Sequence, residues 1–316
     1  MISAVLGVVA AFVFGSADFL GGLAAKRLRS ITVTAIAAAA GLVGLLVAYP
    51  FLGGAWMGAD IAWGALSGVF GVIAIVLLYA CLAIGPMSIL SPLTAVVSAI
   101  APMLWGLIVK GEQLSGFGYA GLLVALVAVV LVGFLPGDAV VRPSLRGIVM
   151  AVGSGLAIGG FMVSIDQTSD ESGLVPLIAN RAVNGTIAWT IVAVLALMAA
   201  RRRRIAPALQ LRVGATPTGH ADLEQAVQPA PAPPSRDAVR TGILLAISCG
   251  VVDAAANTLM LIALRLGDLA IVSVLTAMYP AGTIILAAIV LRERIAAVQW
   301  VGLALALAAG AMFALA

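Results

Sequence analysis

Three ionisable side chains lie within long apolar stretches of the sequence: Asp18, Arg181 and Asp253. A charge at the centre of a bilayer costs at least about 3 kcal/mol, so such a residue needs a partner or a function. We expect Arg181 to pair with Asp253 or Asp18 and to form part of a polar site that binds a substrate or exchanges a proton. The alternative, a static ion pair that only fixes helix packing, stays open.

Neutral polar residues extend this candidate site. Asn257 follows Asp253 by four residues and Asn184 follows Arg181 by three, so each amide shares a helix face with a charge. Tyrosines suit aromatic or cationic molecules. The residues predicted to bind substrate or couple transport are Asp18, Tyr79, Arg181, Asn184, Asp253, Asn257 and Tyr279.

Two glutamates, Glu112 and Glu293, lie at the ends of apolar stretches. A carboxylate in such a place can accept hydrogen bonds from the first amides of the following helix and offset the helix dipole. We therefore predict a structural capping role for both, in preference to contact with a substrate.

One acidic pair raises the alternative of an intramembrane enzyme. Asp166 and Asp170 have a DxxxD spacing that could bind Mg²⁺ for prenyl transfer. No second acidic motif accompanies them, and His220, the single histidine, lies in a proline-rich tract. The sequence therefore predicts no metal site and no cofactor. A channel is a further alternative, but nothing resembles a selectivity filter.

The composition is that of a membrane protein. Charged residues make up 9% of the 316 residues and hydrophobic residues 63%, with a mean hydropathy of +1.19. A single soluble core could not bury so much apolar surface, whereas a bilayer surrounds helices with hydrocarbon. The net charge of +4 does not indicate a nucleic-acid partner, because the arginines lie between apolar runs and form no continuous face.

The apolar residues fall into ten stretches that are long enough to cross a bilayer as helices. They are residues 2–25, 31–53, 60–84, 87–109, 116–135, 146–165, 174–200, 239–264, 269–291 and 296–315. Residues 201–238 differ, with four successive arginines and six prolines, and predict a disordered loop. The fold class is thus an all-α membrane protein with ten transmembrane helices.

The sequence contains an internal repeat. The segment GPMSILSPLTAV from Gly85 and the segment GDLAIVSVLTAM from Gly267 are identical at six of twelve positions. We predict two five-helix repeats, residues 1–136 and 146–316, joined by the connector 137–145. Since five is odd, the repeats must enter the membrane in opposite senses, which is the inverted repeat of secondary transporters.

The segment YPAGTIILAAIVLRERIAAVQWVGLALALAAG, from Tyr279 to Gly310, resembles the EamA-type repeat of the drug/metabolite transporter superfamily, as does the spacing from Pro280 to Glu293. Phe14-Gly15-Ser16 is similar to a Trp-Gly-Ser often seen in the first helix of such proteins. Ala99 departs from the pattern, since the first copy should have a proline there. The resemblance implies a ten-helix exporter or exchanger of metabolites or drugs.

The charges predict an orientation. With both termini outside, fourteen of the seventeen Lys and Arg residues lie in or beside cytoplasmic connections, which include loop 201–238. The family more usually has both termini inside, and we follow the charges. The chain is expected in the cell membrane, as a multi-pass protein.

We therefore predict a secondary transporter that exports a small metabolite or drug by alternating access. Protons are the expected driving ion, and the small-molecule substrate and the lipid bilayer are the expected partners. The residues leave open the substrate, the direction of flux and the formation of a homodimer.

Overall fold

The computed structural model describes residues 2–25, 27–28, 30–84, 87–133, 144–209, 236–290 and 296–315, and these form helices joined by short connections. The helices are α1 (Ile2–Ala25), α2 (Ser30–Leu52), α3 (Gly58–Ile84), α4 (Met87–Leu104), α5 (Gly116–Gly133), α6 (Leu145–Asp166), α7 (Val175–Leu209), α8 (Arg236–Leu266), α9 (Leu269–Thr276), α10 (Tyr279–Val290) and α11 (Ala297–Leu315). A π-helical turn, Trp105–Val109, continues α4.

The predicted all-α membrane architecture is confirmed at a coarse level. Within the described ranges, seven helical segments are long and apolar enough to cross a membrane, and α9 with α10 forms one of them. Three shorter apolar helices complete the set: Leu93–Val109, Gly116–Val132 and Ala297–Phe313. These segments coincide with the ten predicted stretches, while ten complete membrane crossings remain a prediction.

The predicted stretch 269–291 coincides with one candidate membrane span, Leu269–Val290, but the helix is interrupted within it. α9 ends at Thr276 and α10 begins at Tyr279. Pro280 has no N–H group with which to bond the carbonyl of Thr276, so the hydrogen-bond ladder is interrupted there. The break presents the start of α10 to the interior of the bundle.

The predicted loop 201–238 is wrong at both of its ends. α7 continues to Leu209, and α8 already begins at Arg236. Alanine and arginine are good helix formers, so the run that contains Arg201–Arg204 prolongs α7 beyond its apolar part. The remainder of the loop, with His220, and residues 137–143 of the connector lie outside the described residues.

The bundle has two ends, which we name after one residue each. At the Asp166 end, α6 and α8 finish, and Arg265 of α8 reaches Ser169 just beyond α6. At the Val132 end, α5 finishes beside the beginning of α11, where Gln299 donates a hydrogen bond to the Val132 carbonyl. Small residues permit close packing between the two ends. A Cβ atom on Gly15 of α1, for example, would lie 2.4 Å from the carbonyl oxygen of Tyr279.

Candidate functional site

An ion pair inside the bundle joins α7 to α8. Arg181 donates a hydrogen bond from Nη2 to Oδ2 of Asp253, and the side chains of the two residues are only 13% and 25% exposed. Asn257 donates from Nδ2 to the Asp253 carbonyl at 2.8 Å and to Asp253 Oδ2 at 3.3 Å. Of the two predicted partners for Arg181, the structure contains Asp253, and Asn257 fixes the orientation of that carboxylate.

The pair lies at the wall of a cavity of about 540 Å³. This volume is within the range of small-molecule sites in proteins. The cavity extends toward the Val132 end, where Ala25, Val132 and Gln299 line it. The polar wall includes Asp18, Thr34, Arg181, Asn184, Cys249, Asp253, Tyr279, Thr283 and Gln299. Much of the remaining wall is aliphatic, so the cavity suits a molecule with an apolar body and a polar group.

Asp18 of α1 enters the cavity from the other side. Its side chain is exposed, and the exposed surface faces the cavity rather than bulk solvent. No described residue donates a hydrogen bond to it, and its charge is repelled by that of Asp253. Asn184 is buried, and its Oδ1 atom accepts no hydrogen bond from the described residues. Two residues that line the cavity thus have unsatisfied acceptors, Asp18 at its surface and Asn184 with a buried Oδ1 atom.

The break between α9 and α10 brings further groups to the cavity. Tyr279, a predicted site residue, lines the wall together with Pro280 and Thr283. Thr283 donates a hydrogen bond to the Gly15 carbonyl at 3.0 Å, which attaches α10 to α1 beside Asp18. Thr283 and Gln299 were not predicted from the sequence, because a neutral polar residue in an apolar helix carries a weak signal. Pro280, next to Tyr279, was the one indication in the sequence of a polar opening there.

Two other predicted residues fall outside this picture. Tyr79 belongs to α3, but its side chain is not among those described, and Glu293 lies in the segment 291–295 outside the described residues. Asn180 precedes Arg181 in the sequence but has a different environment. Its Nδ2 atom donates to Ser67 Oγ at 2.8 Å, which holds α7 against α3 away from the cavity.

Glu112 caps a different helix from the one predicted. Its carboxylate accepts hydrogen bonds from the amides of Leu269, at 3.0 Å, and Ala270, at 2.9 Å, at the start of α9. The following helix, α5, was the predicted partner. Gly111 has a positive φ of 70° and lets the chain turn after α4, so that the carboxylate meets the α9 terminus from the other half of the sequence.

Lys110 connects Glu112 to the end of α6. Its Nζ atom lies 2.9 Å from Asp166 Oδ2 and 3.5 Å from Glu112 Oε1. Burial by itself lowers the pKa of Lys110, but the hydrogen bond and charge of Asp166, followed by those of Glu112, outweigh it and raise the pKa. We call Lys110, Glu112, Asp166 and the first amides of α9 the Lys110 cluster.

A second set of contacts holds the Asp166 end together. Arg265 Nη2 donates to the carbonyls of Ser169, at 3.1 Å, and Gly173, at 2.9 Å. Asp60 of α3 accepts hydrogen bonds from the amide of Ser169 at 3.0 Å and from its hydroxyl at 2.7 Å. Residues of the first and second halves are therefore joined at this end, opposite the cavity.

The same contacts bear on the acidic pair considered for Mg²⁺. Asp166 binds Lys110, and Asp170 lies 3.7 Å from Arg265. No group of three metal-ligating side chains occurs in the part of the chain that the structure describes. Each carboxylate faces a cation of the protein, so the pair does not form a shared divalent site in this arrangement.

Comparison with known proteins identifies a domain in the C-terminal part of the chain. A family model described as "EamA-like transporter family" matches residues 226–315. A solved structure titled "Crystal structure of protein" is similar over 99% of this chain and 96% of its own, with 16% identity and a TM-score of 0.66, which relates the two folds. No curated protein matches. The chain is a multi-pass membrane protein, and its C-terminal part carries an EamA-like domain.

Proposed function

We propose that this protein is a secondary transporter that carries a small molecule across the membrane by alternating access and works as an exporter. The observation that carries the proposal is the cavity, which contains an ion pair deep in the bundle and extends toward one end only. The opposite end is held by the Lys110 cluster and by Arg265. A binding site accessible from one side while contacts close the other is one of the two states that alternating access requires.

The helix contacts support two inverted repeats. If residues 1–136 and 146–316 correspond, α1 to α5 are equivalent to α6, α7, α8, α9 with α10, and α11. The contact between α1 and α8 then corresponds to the contact between α6 and α3. In the same way, the contact between α2 and α8 corresponds to the contact between α7 and α3. The packing of α4 on α6 likewise corresponds to the packing of α9 and α10 on α1. The contacts α2–α7 and α5–α11 each join two equivalent helices, so exchanging the repeats leaves each contact unchanged. Such pairing is expected of two halves related by a pseudo-twofold axis.

Proton coupling and the direction of transport belong to the same proposal. The carboxylates of Asp18 and Asp253 face one cavity, and a membrane-embedded carboxylate can exchange a proton when its surroundings change. The positive-inside bias favours both termini outside, which puts the Val132 end, and thus the cavity, on the cytoplasmic side. A cavity that loads from the cytoplasm is the one an exporter needs.

Enzyme and channel remain weaker alternatives. The acidic pair Asp166 and Asp170 is engaged by Lys110 and Arg265, which disfavours metal-dependent prenyl transfer. The polar contacts across the Asp166 end disfavour a continuous pore in this state.

Counterflow in proteoliposomes tests the proposal. A thermal-shift screen against amino acids, amines, sugars and cationic dyes first identifies a stabilising compound, because a ligand of the folded state raises apparent stability. Vesicles loaded with that compound should then accumulate its radiolabelled form transiently. Asp253→Asn should abolish most counterflow and its pH dependence, whereas Asp237→Asn, an exposed residue at the start of α8, should change neither. Flux without counterflow would indicate a channel, and chemical conversion of the compound would indicate an enzyme.

A further inference from the structure

We propose that the cavity binds a singly charged organic ammonium ion that donates hydrogen bonds, with the ammonium group at Asp18. This inference rests on the proposed function and specifies the class of substrate. It follows from the charges, the unsatisfied acceptors and the apolar wall of the cavity.

The charges of the cavity wall do not balance. Among the described residues that line it, Asp18 and Asp253 are acidic and Arg181 is basic. Arg181 bonds to Asp253, so these two charges compensate each other. When it is ionised, Asp18 has one negative charge and no cation of the described chain against it. An uncompensated charge within a membrane is unfavourable. A cationic ligand would therefore bind favourably, because it supplies the positive charge that Asp18 does not receive from the protein.

The hydrogen-bonding groups specify the cation further. Asp18 accepts no hydrogen bond from the described residues, and the buried Oδ1 atom of Asn184 accepts none. An acceptor buried without a donor costs about 1–3 kcal/mol. A primary ammonium group has three N–H donors and can supply both acceptors once the Asn184 amide turns toward it, whereas a quaternary ammonium group has none to supply.

The remaining wall indicates the body of the ligand. Val33, Ile75, Leu78, Val132 and Ile284 contribute aliphatic surface to the cavity. This surface would contact a hydrocarbon chain or an aromatic ring of the ligand. A free metal ion or a proton has no apolar part that could contact it. An anionic or zwitterionic ligand would need Arg181 to leave Asp253, which strands a buried carboxylate.

Isothermal titration calorimetry of the purified full chain tests the proposal with probes of known charge. The three amines are n-butylamine, 2-phenylethylamine and tryptamine, all protonated at pH 7. The comparison compounds keep the phenyl ring and change the polar group: the N,N,N-trimethyl derivative of 2-phenylethylamine, 3-phenylpropionate and phenylalanine. We expect at least one of the three amines to bind. The trimethyl derivative should bind about 10-fold or more weakly than 2-phenylethylamine, and 3-phenylpropionate should not bind.

A variant locates the ammonium group. Asp18→Asn keeps the shape of the side chain and should weaken amine binding by about 10-fold or more, which corresponds to about 1.4 kcal/mol. The matched change Asp237→Asn, at an exposed carboxylate outside the cavity, should leave the affinity unchanged. Should Asp18→Asn fail to fold, the order of affinities among the probes on the unaltered protein still decides the proposal.

The failures are distinguishable. Equal binding of the trimethyl derivative and the amine would refute hydrogen bonding, and tighter binding of phenylalanine or 3-phenylpropionate would refute the cation preference. If none of the three amines binds while a compound from the thermal-shift screen shows counterflow, the ammonium inference is wrong and the transport function stands. If no compound shows counterflow, the transport function itself fails.

Discussion

The contact between Glu112 and the start of α9 can be tested by one isosteric substitution, Glu112→Gln. The side chain is only 7% exposed, and it accepts hydrogen bonds from the amides of Leu269 and Ala270 while its charge faces Lys110. Glutamine keeps one carbonyl oxygen and replaces the other with an NH₂ group. One of the two amides of α9 therefore loses its acceptor and meets a donor instead.

The size of the effect follows from these contacts. A hydrogen bond to a charged group contributes about 1.5–3 kcal/mol. The lost negative charge at the helix N-terminus adds roughly 0.3–1 kcal/mol. The local opening free energy of α9 should thus fall by about 2–4 kcal/mol. Because about 1.4 kcal/mol corresponds to a factor of ten, the amides at the start of α9 should exchange hydrogen on the order of 100-fold faster.

Hydrogen–deuterium exchange with mass spectrometry measures this change on peptides that contain residues 269–276. Glu171→Gln is the matched control, since Glu171 is an exposed carboxylate near the same end and its side chain makes no hydrogen bond or ion pair with the described residues. The control should leave the exchange of α9 unchanged. Unchanged exchange in both variants would show that Glu112 does not hold α9, and equally faster exchange in α5 and α11 would indicate global destabilisation.

Two further predictions concern packing and orientation. Gly15→Ala places a Cβ atom 2.4 Å from the Tyr279 carbonyl oxygen. Overpacking of this kind costs about 1–3 kcal/mol and should lower the unfolding temperature by several degrees. In the control Gly22→Ala, on the same helix, the added Cβ atom meets nothing within 4 Å and the change should be neutral or slightly stabilising. Equal shifts in thermal unfolding monitored by fluorescence would contradict this account of the α1–α10 contact. With Cys81 and Cys249 replaced by alanine, an impermeant thiol reagent should label a cysteine added at the C-terminus of intact cells but not one at Ala208, and the reverse pattern would restore the usual family orientation.

The sequence was sufficient to predict features that depend on local composition. A run of about 20 apolar residues identifies a membrane-spanning segment without knowledge of its neighbours. The cost of a buried charge likewise indicates that Arg181 needs a carboxylate, and the sequence offered Asp18 and Asp253. For these reasons the positions of the apolar helices, and an ion pair of Arg181 with one of these two aspartates, could be predicted before the structure. The structure was needed to identify Asp253 as the partner.

Features that depend on how distant segments meet were not accessible in this way. Glu112 was predicted to cap α5 because capping was judged from sequence neighbours, whereas its partner lies more than 150 residues away. The position of the complete break after Thr276 was also not predicted, since a proline in an apolar run is compatible with a kinked continuous helix. The sequence also could not show that Asp253 is paired with Arg181 while Asp18 is not, because both are single aspartates in apolar helices.

The arrangement of the three cavity charges constrains how transport could proceed. Arg181 and Asp253 both belong to the second half of the chain, on α7 and α8, whereas Asp18 belongs to the first half, on α1. While Asp253 is ionised, separating the buried pair would leave uncompensated charges, which typically costs about 3–5 kcal/mol, so in that protonation state the pair should move as one unit. Motion between the halves then changes the distance from Asp18 to the pair. A cation bound at Asp18 reduces the repulsion between the Asp18 and Asp253 carboxylates. This reduction is largest when the two carboxylates are close together. Such a ligand would favour one arrangement by its differential affinity, which is the condition for driving a conformational change.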